Sequence, residues 1–438
     1  MKKLFIILII IIIITGCSNS INTKGLMESV NITTPQALEF VDSIDSDNRI
    51  PITSRKKEVT ISAVGDIMVH KQQLIRGYNS ESDTFDFFHA FQYIEPYLKD
   101  SDLTIGNLET TLAGKDQGIK FKEGNHYQGY SGYPCFNTPE ILAENLKDVG
   151  FDLLSTANNH SLDSRPKGVI STLDVLDSIG LSHVGTYRSQ EEKDEFLIKE
   201  INDIAFGFSA YTYGTNGFPV PEDKPYLVNT LDMYNSKYID NMVEEIKELD
   251  KKVDIVVVSI HFGNEYFDFP NNHQRDIVDK LFKAGADVIL GSHPHVIQPI
   301  EIRRIEENEE ERLGVVIYSL GNFISSQRYT ANRPKNTDIG VIFNIHFTKI
   351  HNNSPIINAI SFVPTYNFRT DNQLSVIPVD ETYDNLESEN IDLDNQEINR
   401  LTYSYNNTYK HILSYLTDDY DYEYNDYSYI IQLEDSNY

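Results

Sequence analysis

The hydrophobic pattern of the chain changes at residue 59, where short apolar runs begin to alternate with longer amphipathic stretches. The runs are rich in β-branched residues, which favour strands, and they lie at residues 59–64, 103–105, 153–155, 204–210, 255–260, 288–290, 315–318, 343–347 and 357–362. Apolar residues at helical spacing lie at 139–149, 169–179, 233–249 and 274–284. Strands that alternate with helices predict an α/β fold with a largely parallel sheet covered by helices.

The first 17 residues have the pattern of a bacterial lipoprotein signal peptide. Two lysines follow the first methionine, and an unbroken apolar run of eleven residues, 4–14, comes next. That run is short for a membrane span and suits a signal peptide. It ends Ile14-Thr15-Gly16-Cys17, which resembles a lipobox, so we expect Cys17 to be the lipid attachment site. An ordinary signal peptide or an anchor helix with an incidental cysteine is the alternative.

The lipobox interpretation predicts a location at the extracytoplasmic face of the bacterial cell membrane, with lipid chains on Cys17 as the anchor. Residues 18–57 are polar and predict a spacer, with a short helix near residues 34–41. The main domain is expected over residues 58–378. Residues 379–438 form an acidic, Tyr-rich C-terminal extension, with a helix predicted over 403–415 and a low-complexity segment at 418–427 that we expect to be disordered or loosely packed.

Composition narrows the choice of partners. The chain has 438 residues, and 37 basic against 66 acidic residues give a net charge of −29. Binding to nucleic acid needs clustered lysine and arginine, so this charge argues against it. The only cysteines are Cys17 and Cys135, and with Cys17 acylated no disulfide framework is available. The fold must therefore be held by its core.

Polar motifs follow several of the predicted strands. Asp66 and Glu109 supply carboxylates, Asn159 supplies an amide, and His293 and His295 form a His-Pro-His turn. In a parallel sheet, ligands gather at the carboxyl ends of the strands, so these side chains are expected to converge. Oxygen and imidazole donors without a thiolate suit one or two divalent cations of Mn, Fe, Zn or Mg.

Other residues in the same motifs have supporting or catalytic roles in this interpretation. His160 follows the amide and is a candidate proton donor. His261 ends a buried strand, and Gly263 beside it leaves space for a close approach. Glu265 is a candidate acid, base or partner for an imidazole. Two asparagines complete the set, Asn107 as a residue that shapes its loop and Asn322 as a hydrogen-bond donor.

Six ordered segments between residues 58 and 375 resemble the poly-γ-glutamate capsule-synthesis protein family of the CapA type. That family is related to the calcineurin-like metallophosphoesterases. The segments are 65–68 (GDIM), 106–110 (GNLET), 157–163 (ANNHSLD), 261–266 (HFGNEY), 291–296 (GSHPHV) and 319–323 (SLGNF). The resemblance implies a four-layer α/β sandwich of two mixed β-sheets flanked by helices. It also implies a substrate-facing His160 and a set of metal ligands: Asp66, Glu109, Asn159, His261, His293 and His295.

The chain departs from the phosphoesterase pattern at two positions. Met68 stands where those enzymes usually carry a histidine, and Glu109 stands where their second motif supplies an aspartate. The loss of one imidazole weakens one of two metal positions. His70 lies two residues further on and is expected to point in a different direction.

Three functions remain open from the sequence. The first is a metal-dependent hydrolase or transferase that acts on an anionic extracellular polymer, either poly-γ-glutamate or a wall component. The second is a non-catalytic component of capsule assembly or export, which the residue at position 68 favours. The third, a phosphatase or phosphodiesterase, rests on kinship of fold alone. The resemblance also implies other membrane subunits of capsule synthesis as partners.

Overall fold

The computed structural model describes residues 56–119, 124–231, 236–307, 310–330, 335–351, 353–370, 373–386, 393–416 and 420–433. The predicted signal peptide, Cys17, the spacer up to residue 55 and the helix expected near 34–41 lie outside the described residues. Within the described ranges, no helix combines the length and the apolar character needed to cross a bilayer.

The described chain alternates between strands and helices, as the pattern predicted. The strands are β1 (Lys56–Ile67), β2 (Tyr78–Asn79), β3 (Thr84–Phe85), β4 (Leu103–Leu108), β5 (His126–Tyr127), β6 (Tyr130–Ser131), β7 (Leu153–Ser155), β8 (Ser182–Val184), β9 (Leu197–Ile201), β10 (Ile204–Thr212), β11 (Ile255–His261), β12 (Val288–Ser292), β13 (Ile297–Glu307), β14 (Glu310–Leu320), β15 (Asn322–Ile324), β16 (Ile339–Ile350), β17 (Ile356–Arg369), β18 (Leu374–Pro378), β19 (Glu423–Asn425) and β20 (Ser428–Gln432). The helices are α1 (Lys71–Gly77), α2 (Glu95–Lys99), α3 (Ile141–Asp148), α4 (Arg165–Ile179), α5 (Gln190–Asp194), α6 (Ser236–Asp250), α7 (Asn272–Lys283), α8 (Val379–Asp384) and α9 (Asn395–Ile412).

The strands form two large sheets rather than one. The first sheet has the order β19-β20-β17-β16-β1-β4-β7-β8, with β15 beside β1 and β18 beside β17. The second has the order β13-β14-β12-β11-β10-β9. Neighbours β1, β4, β7 and β8 run parallel, whereas β17 is antiparallel to β16, β18 and β20. In the second sheet the outer strands β9 and β13 are antiparallel to their neighbours. Both sheets are therefore mixed, as the resemblance implied.

The two sheets pack face to face around a central core. Val59 and Ile61 of β1 belong to this core together with Phe206 of β10 and Val257 of β11. Phe206 also meets Phe347 of the first sheet edge-on, with 5.1 Å between ring centroids. Because successive strand residues point to opposite faces of a sheet, the residues between these core positions face outward.

Helices cover the outward face of each sheet. On the first sheet, Val64 packs in one cluster with Leu142 of α3. On the second sheet, Val258 packs with Ile246 of α6 and Leu281 of α7. The order of layers is helix, sheet, sheet, helix, and the predicted four-layer α/β sandwich is confirmed.

The C-terminal extension completes the first sheet. β20 pairs with β17, and β19 pairs with β20. The helix predicted over residues 403–415 is present as α9, although it begins earlier, at Asn395. Leu401 and Ile412 of α9 are buried in the central core.

The described part of the low-complexity segment, residues 420–427, is ordered, since it contains β19, although most of its residues are exposed. Tyr424 lies 4.9 Å from Tyr429 between ring centroids, and Tyr429 in turn stacks on Phe362 of β17 at 5.1 Å. Aromatic rings supply a large apolar area, and that area holds this acidic segment on the sheet.

Gly65 allows a close approach of two chain segments. Gly65 and Asp66 both lie within β1. The Asp66 amide donates to the Gly321 carbonyl oxygen at 3.0 Å, and a Cβ at position 65 would lie 1.9 Å from that oxygen. Only glycine fits here, and its absence of a side chain lets the end of β1 meet the segment that follows β14.

Candidate metal centre

The polar motifs converge at one edge of the sandwich. Asp66 of β1 lies beside Asn107 of β4 in the strand register, and beside Asn322 of β15 on its other side. In the second sheet, His261 of β11 pairs with Ser292 of β12. Side chains at the carboxyl ends of parallel strands from both sheets therefore lie together at this edge.

Asp66 and His295 form one side of the centre. Asp66 is fully buried; one of its carboxylate oxygens accepts from Asn107 Nδ2 at 2.8 Å, and the other lies 3.0 Å from His295 Nδ1. Asn322 Oδ1 is 3.1 Å from the same His295 nitrogen, and Asn322 Nδ2 donates to the Thr337 carbonyl at 2.8 Å. These contacts fix the orientation of the His295 ring.

Glu109 is a buried carboxylate of the centre that lacks hydrogen-bond partners. It is fully buried, and neither carboxylate oxygen accepts a hydrogen bond from the described residues. Its Oε1 lies 3.7 Å from His261 Nε2 and 3.8 Å from His160 Nε2, which is too far for a hydrogen bond. Burial, and then the charge of Asp66, raise the pKa of Glu109. An unpaired buried carboxylate is costly, and a bound cation would satisfy it.

His261 lies between two asparagine side chains. Its Nε2 is 3.0 Å from Asn159 Oδ1, and its Nδ1 is 3.2 Å from Asn107 Nδ2. Burial and the neighbouring histidines lower the pKa of His261. The neutral imidazole is the form that binds metals.

Asn107 lies within β4 and not in a loop, which corrects the role expected for it. Its side chain contacts other side chains, and its Oδ1 accepts from Asn158 Nδ2 at 3.2 Å. Asn158 makes the side-chain to backbone bond in this region, since its Nδ2 donates to the Leu108 carbonyl at 2.8 Å. Asn107 therefore links Asp66, His261 and the Asn158 loop.

His293 and His295 sit in a strained turn. Their φ angles are 99° and 57°, in the left-handed region where residues other than glycine cost about 1–3 kcal/mol and which clusters at functional sites. His293 Nδ1 is buried and has no hydrogen-bond partner among the described residues. Burial, followed by the charges of His295 and His160, lowers the pKa of His293.

Glu265 is exposed, yet it reaches this turn. One ligand atom each from Glu265, His293 and His295 lie within 4.8 Å of one another. The backbone near Glu265 is tied to the same turn, because the Tyr266 amide donates to the Pro294 carbonyl at 2.8 Å. Gly263, with φ of 100°, is approached closely by Gln274, whose Cδ would lie 2.6 Å from an added Cβ.

His160 is held by a carboxylate that the sequence did not single out. Its Nδ1 lies 2.7 Å from Asp163 Oδ2, which also accepts from the Phe136 amide at 2.6 Å. The Phe136 ring meets His160 edge-on at 4.7 Å. With Nδ1 bound to a carboxylate, Nε2 is the ring nitrogen that faces Glu109 and the centre.

Position 68 contributes no ligand, and His70 does not replace it. Met68 is buried. His70 caps the start of α1, and its Nδ1 accepts from the Ser326 amide at 3.4 Å. Burial, with His295 and His160 adding to it, lowers the pKa of His70 to about 3. His70 is thus a neutral, structural neighbour of the centre.

The residues present fit a divalent cation. Ligand atoms of Asp66, Glu109 and His261 lie within 4.8 Å of one another, which gives a second group beside that of Glu265 and the two turn histidines. The two Glu109 oxygens have no hydrogen-bond partner among the described residues, which fits the role of a cation ligand. Carboxylate and imidazole donors together suit borderline and hard cations, and the arrangement does not distinguish among them.

Sequence reasoning missed Tyr213 as well as Asp163. The Tyr213 ring lies 4.5 Å from that of His293 and is nearly parallel to that of His261 at 6.3 Å. Burial raises the pKa of Tyr213 to about 12, with Glu265 also raising it. Tyr213 could have been found from its position directly after β10, because the other site candidates were chosen as residues that follow a predicted strand.

The fold and the site together define a four-layer α/β protein with a carboxylate, amide and imidazole centre at the strand ends. Residues 60–327 match the family model described as "Bacterial capsule synthesis protein PGA_cap". The match covers more than half of the chain, and the chain belongs to this family.

The chain is also similar in sequence to individual proteins of capsule biosynthesis. The chain is 27% identical over 288 residues to "Capsule biosynthesis protein CapA" of Bacillus anthracis, covering 65% of this chain and 64% of that protein. It is 30% identical over 279 residues to "PGA biosynthesis protein CapA" of Bacillus subtilis, covering 63% and 65%. The chain thus matches just under two thirds of the length of either relative. A crystal structure from Thermus thermophilus is similar at 9% identity, with coverages of 60% and 89% and a TM-score of 0.32, which is too low to support an argument.

Proposed function

We propose that this protein is a lipid-anchored, extracytoplasmic, metal-dependent hydrolase or transferase of capsule biosynthesis. Its substrate would be an anionic extracellular polymer, poly-γ-glutamate or a wall component. The observation that carries the proposal is Glu109, a buried carboxylate without a hydrogen-bond donor that faces His160 and His261. Family membership supports the role in the capsule. The lipobox at Cys17 supports the location.

The chemistry follows from the side chains around the centre. A divalent cation held by the two ligand groups would act as a Lewis acid on a carbonyl or phosphoryl oxygen. His160 would protonate the leaving group; its Nδ1 contacts Asp163, and its Nε2 lies 3.8 Å from Glu109 Oε1, which supports this role. Glu265 is exposed beside the turn histidines and can exchange protons with solvent. Amide hydrolysis or transfer needs such a proton donor for the departing amine.

Metal content tests the centre directly. The purified full-length protein is analysed by elemental mass spectrometry, and His293→Gly is compared with His351→Gly. Both histidines have positive φ, so glycine removes the imidazole in each case without backbone strain. We expect one or two transition metals per chain, lost in His293→Gly and kept in the His351→Gly control. A folded protein that takes up no Mn or Zn would refute a metal-dependent enzyme.

A second function, a non-catalytic component of capsule assembly or export, is favoured by Met68 in place of an imidazole ligand. Capsule production in cells that carry His160→Ala separates the two proposals. Loss of capsule with normal protein level and normal metal content supports catalysis. Normal capsule with this variant supports the assembly role.

A further inference from the structure

The segment that follows β10, residues 213–218, lies against the metal centre; we call it the β10 loop. Tyr213 opens this loop, and its ring lies 4.5 Å from the His293 ring and 6.3 Å from the His261 ring, with an angle of 10° to the latter. The Tyr213 amide donates to the His261 carbonyl at 2.9 Å. The tyrosine is half-buried, so it sits at the mouth of the centre and not in the core.

Asn216 lies three residues further along the loop and contacts His160. Its Nδ2 is 3.5 Å from both Nδ1 and Nε2 of the imidazole. Both contacts lie at the outer limit of hydrogen-bond distance, so they are weak. Asn216 is exposed, so its amide group is available to a bound molecule beside His160.

Side-chain hydrogen bonds and a cation–π contact hold the β10 loop in position. The Thr212 hydroxyl donates to the Gly214 carbonyl at 2.9 Å, and the Thr215 hydroxyl donates to the Phe218 carbonyl. The Arg165 guanidinium lies 3.8 Å from the centre of the Phe218 ring, a cation–π contact that ties the loop to α4. Asn216 has φ of 48°, a conformation that asparagine tolerates well.

We propose that Tyr213 and Asn216 bind the substrate, and that the group they bind is an oxyanion such as a carboxylate. The Tyr213 hydroxyl, which has a hydrogen-bond contact with the Asn159 side chain, and the Asn216 amide are hydrogen-bond donors next to the centre. The exposed Arg165, which contacts Phe218 of the same loop, adds positive charge. Donors and a guanidinium next to a cation site select a ligand rich in acceptor oxygens and negative charge. This inference rests on the proposed function, since it gives the substrate class of that same centre.

Calorimetric titration of the full-length protein, loaded with Mn²⁺, tests the inference. The probes are a γ-linked tetraglutamate and inorganic phosphate, which separate a carboxylate-bearing substrate from a general oxyanion. The variants are Tyr213→Phe, which removes only the hydroxyl, and Asn216→Gly, which removes the amide but accepts a positive φ. Tyr422→Phe is the control, because Tyr422 is 45% exposed on the distant C-terminal segment.

We expect both test variants to weaken binding of at least one probe by about 10- to 150-fold, the effect of one hydrogen bond to a charged group. Metal stoichiometry and the control should not change. Wild-type affinity in both variants, or loss of metal from either, would overturn the inference while leaving the proposed function in place. If wild-type protein takes up no metal, the proposed function fails. The same titration without metal then decides the inference, and absent or unaffected probe binding overturns it.

Discussion

At the scale of single residues, the centre is organised around charge that the protein itself does not neutralise. Asp66 accepts from Asn107 and contacts His295, but Glu109 next to it accepts no hydrogen bond from the described residues. Natural folds rarely leave a buried carboxylate in this state. A site that is costly when empty and satisfied by a cation links metal binding to stability.

This linkage gives a prediction for Glu109→Gln. The substitution removes a buried carboxyl whose ionised form is disfavoured by burial and by the charge of Asp66. The metal-free variant should therefore be at least as stable as wild type at pH 8, by up to about 2 kcal/mol in free energy of unfolding. Added Mn²⁺ should stabilise wild type much more than the variant. Denaturant unfolding with chelator and with metal measures both effects, and Glu248→Gln on the exposed face of α6 is the control. A metal-free variant that is clearly less stable would show that Glu109 is already paired.

His160 and Asp163 give a second prediction at this scale. Asp163→Asn keeps the size of the side chain but removes the charge that fixes His160 Nδ1 at 2.7 Å. On the proposed function, turnover of the polymer substrate should fall by about 10- to 100-fold, as for other residues that orient a catalytic or metal-binding histidine. Metal content should stay at the wild-type level. Unchanged turnover with a folded protein would mean that His160 does not take part in the reaction.

At the scale of secondary-structure elements, the strand ends are brought together by glycines as much as by polar contacts. Gly65 lets β1 approach the Gly321 carbonyl, and Gly291 of β12 does the same against the Tyr318 carbonyl, which would lie 2.1 Å from an added Cβ. Both glycines directly precede predicted ligand segments. The geometry of the centre therefore depends on two backbone approaches between segments far apart in sequence.

Gly65→Ala should consequently destabilise the fold by about 3 kcal/mol or more, because the added Cβ meets a backbone oxygen that cannot rotate away. Gly214→Ala is the matched control, since nothing lies within 4 Å of its added Cβ, and it should change stability by less than about 1 kcal/mol. Thermal and denaturant unfolding measure the difference. Equal stability of the two variants would contradict the close approach.

The sequence predicts the metal-ligand candidates better than it predicts the residues that hold those ligands in position. His293 and His295 were recognisable because polar residues after an apolar run stand out from the pattern. Tyr213 was not, since an aromatic residue at a strand end is also typical of a core. Asp163 gains its role only from contact with His160 and Phe136, and the need for Gly65 arises from a distant carbonyl. Such contacts are non-local, and periodicity along the chain does not encode them.

At the scale of the whole molecule, the acidic C-terminal extension is a structural part of the sandwich. Its composition is typical of a solvated tail, but its tyrosines pack on one another and on β17, as Tyr429 does on Phe362. The extension also brings Asp380 of α8 into contact with this layer. Tyr429 donates to Asp380 Oδ1 at 2.8 Å, while Oδ2 is buried with no hydrogen-bond partner among the described residues.

Asp380 should therefore make stability depend on pH. Burial raises the pKa of Asp380 to about 6, and the nearby Asp384 raises it as well, although hydrogen bonds from Tyr429 and Tyr424 oppose this. The folded state then binds the proton more tightly than the unfolded state, whose carboxyl has a pKa near 3.8. By linkage, this carboxyl stabilises the fold at low pH, and its contribution to the free energy of unfolding falls as pH rises from about 4 to about 6.

Asp380→Asn removes that dependence while its amide oxygen can still accept from Tyr429. We expect the free energy of unfolding of the variant, relative to that of wild type, to rise by about 2 kcal/mol between pH 4 and pH 7. This value is smaller than the one that the whole change in the pKa of Asp380 would give, because solvent screens part of the effect. Denaturant unfolding at several pH values measures the difference, with Asp426→Asn on the exposed turn between β19 and β20 as the control. A difference that stays constant with pH would mean that the carboxyl is solvated, and that the extension packs less tightly on the sheet than its contacts indicate.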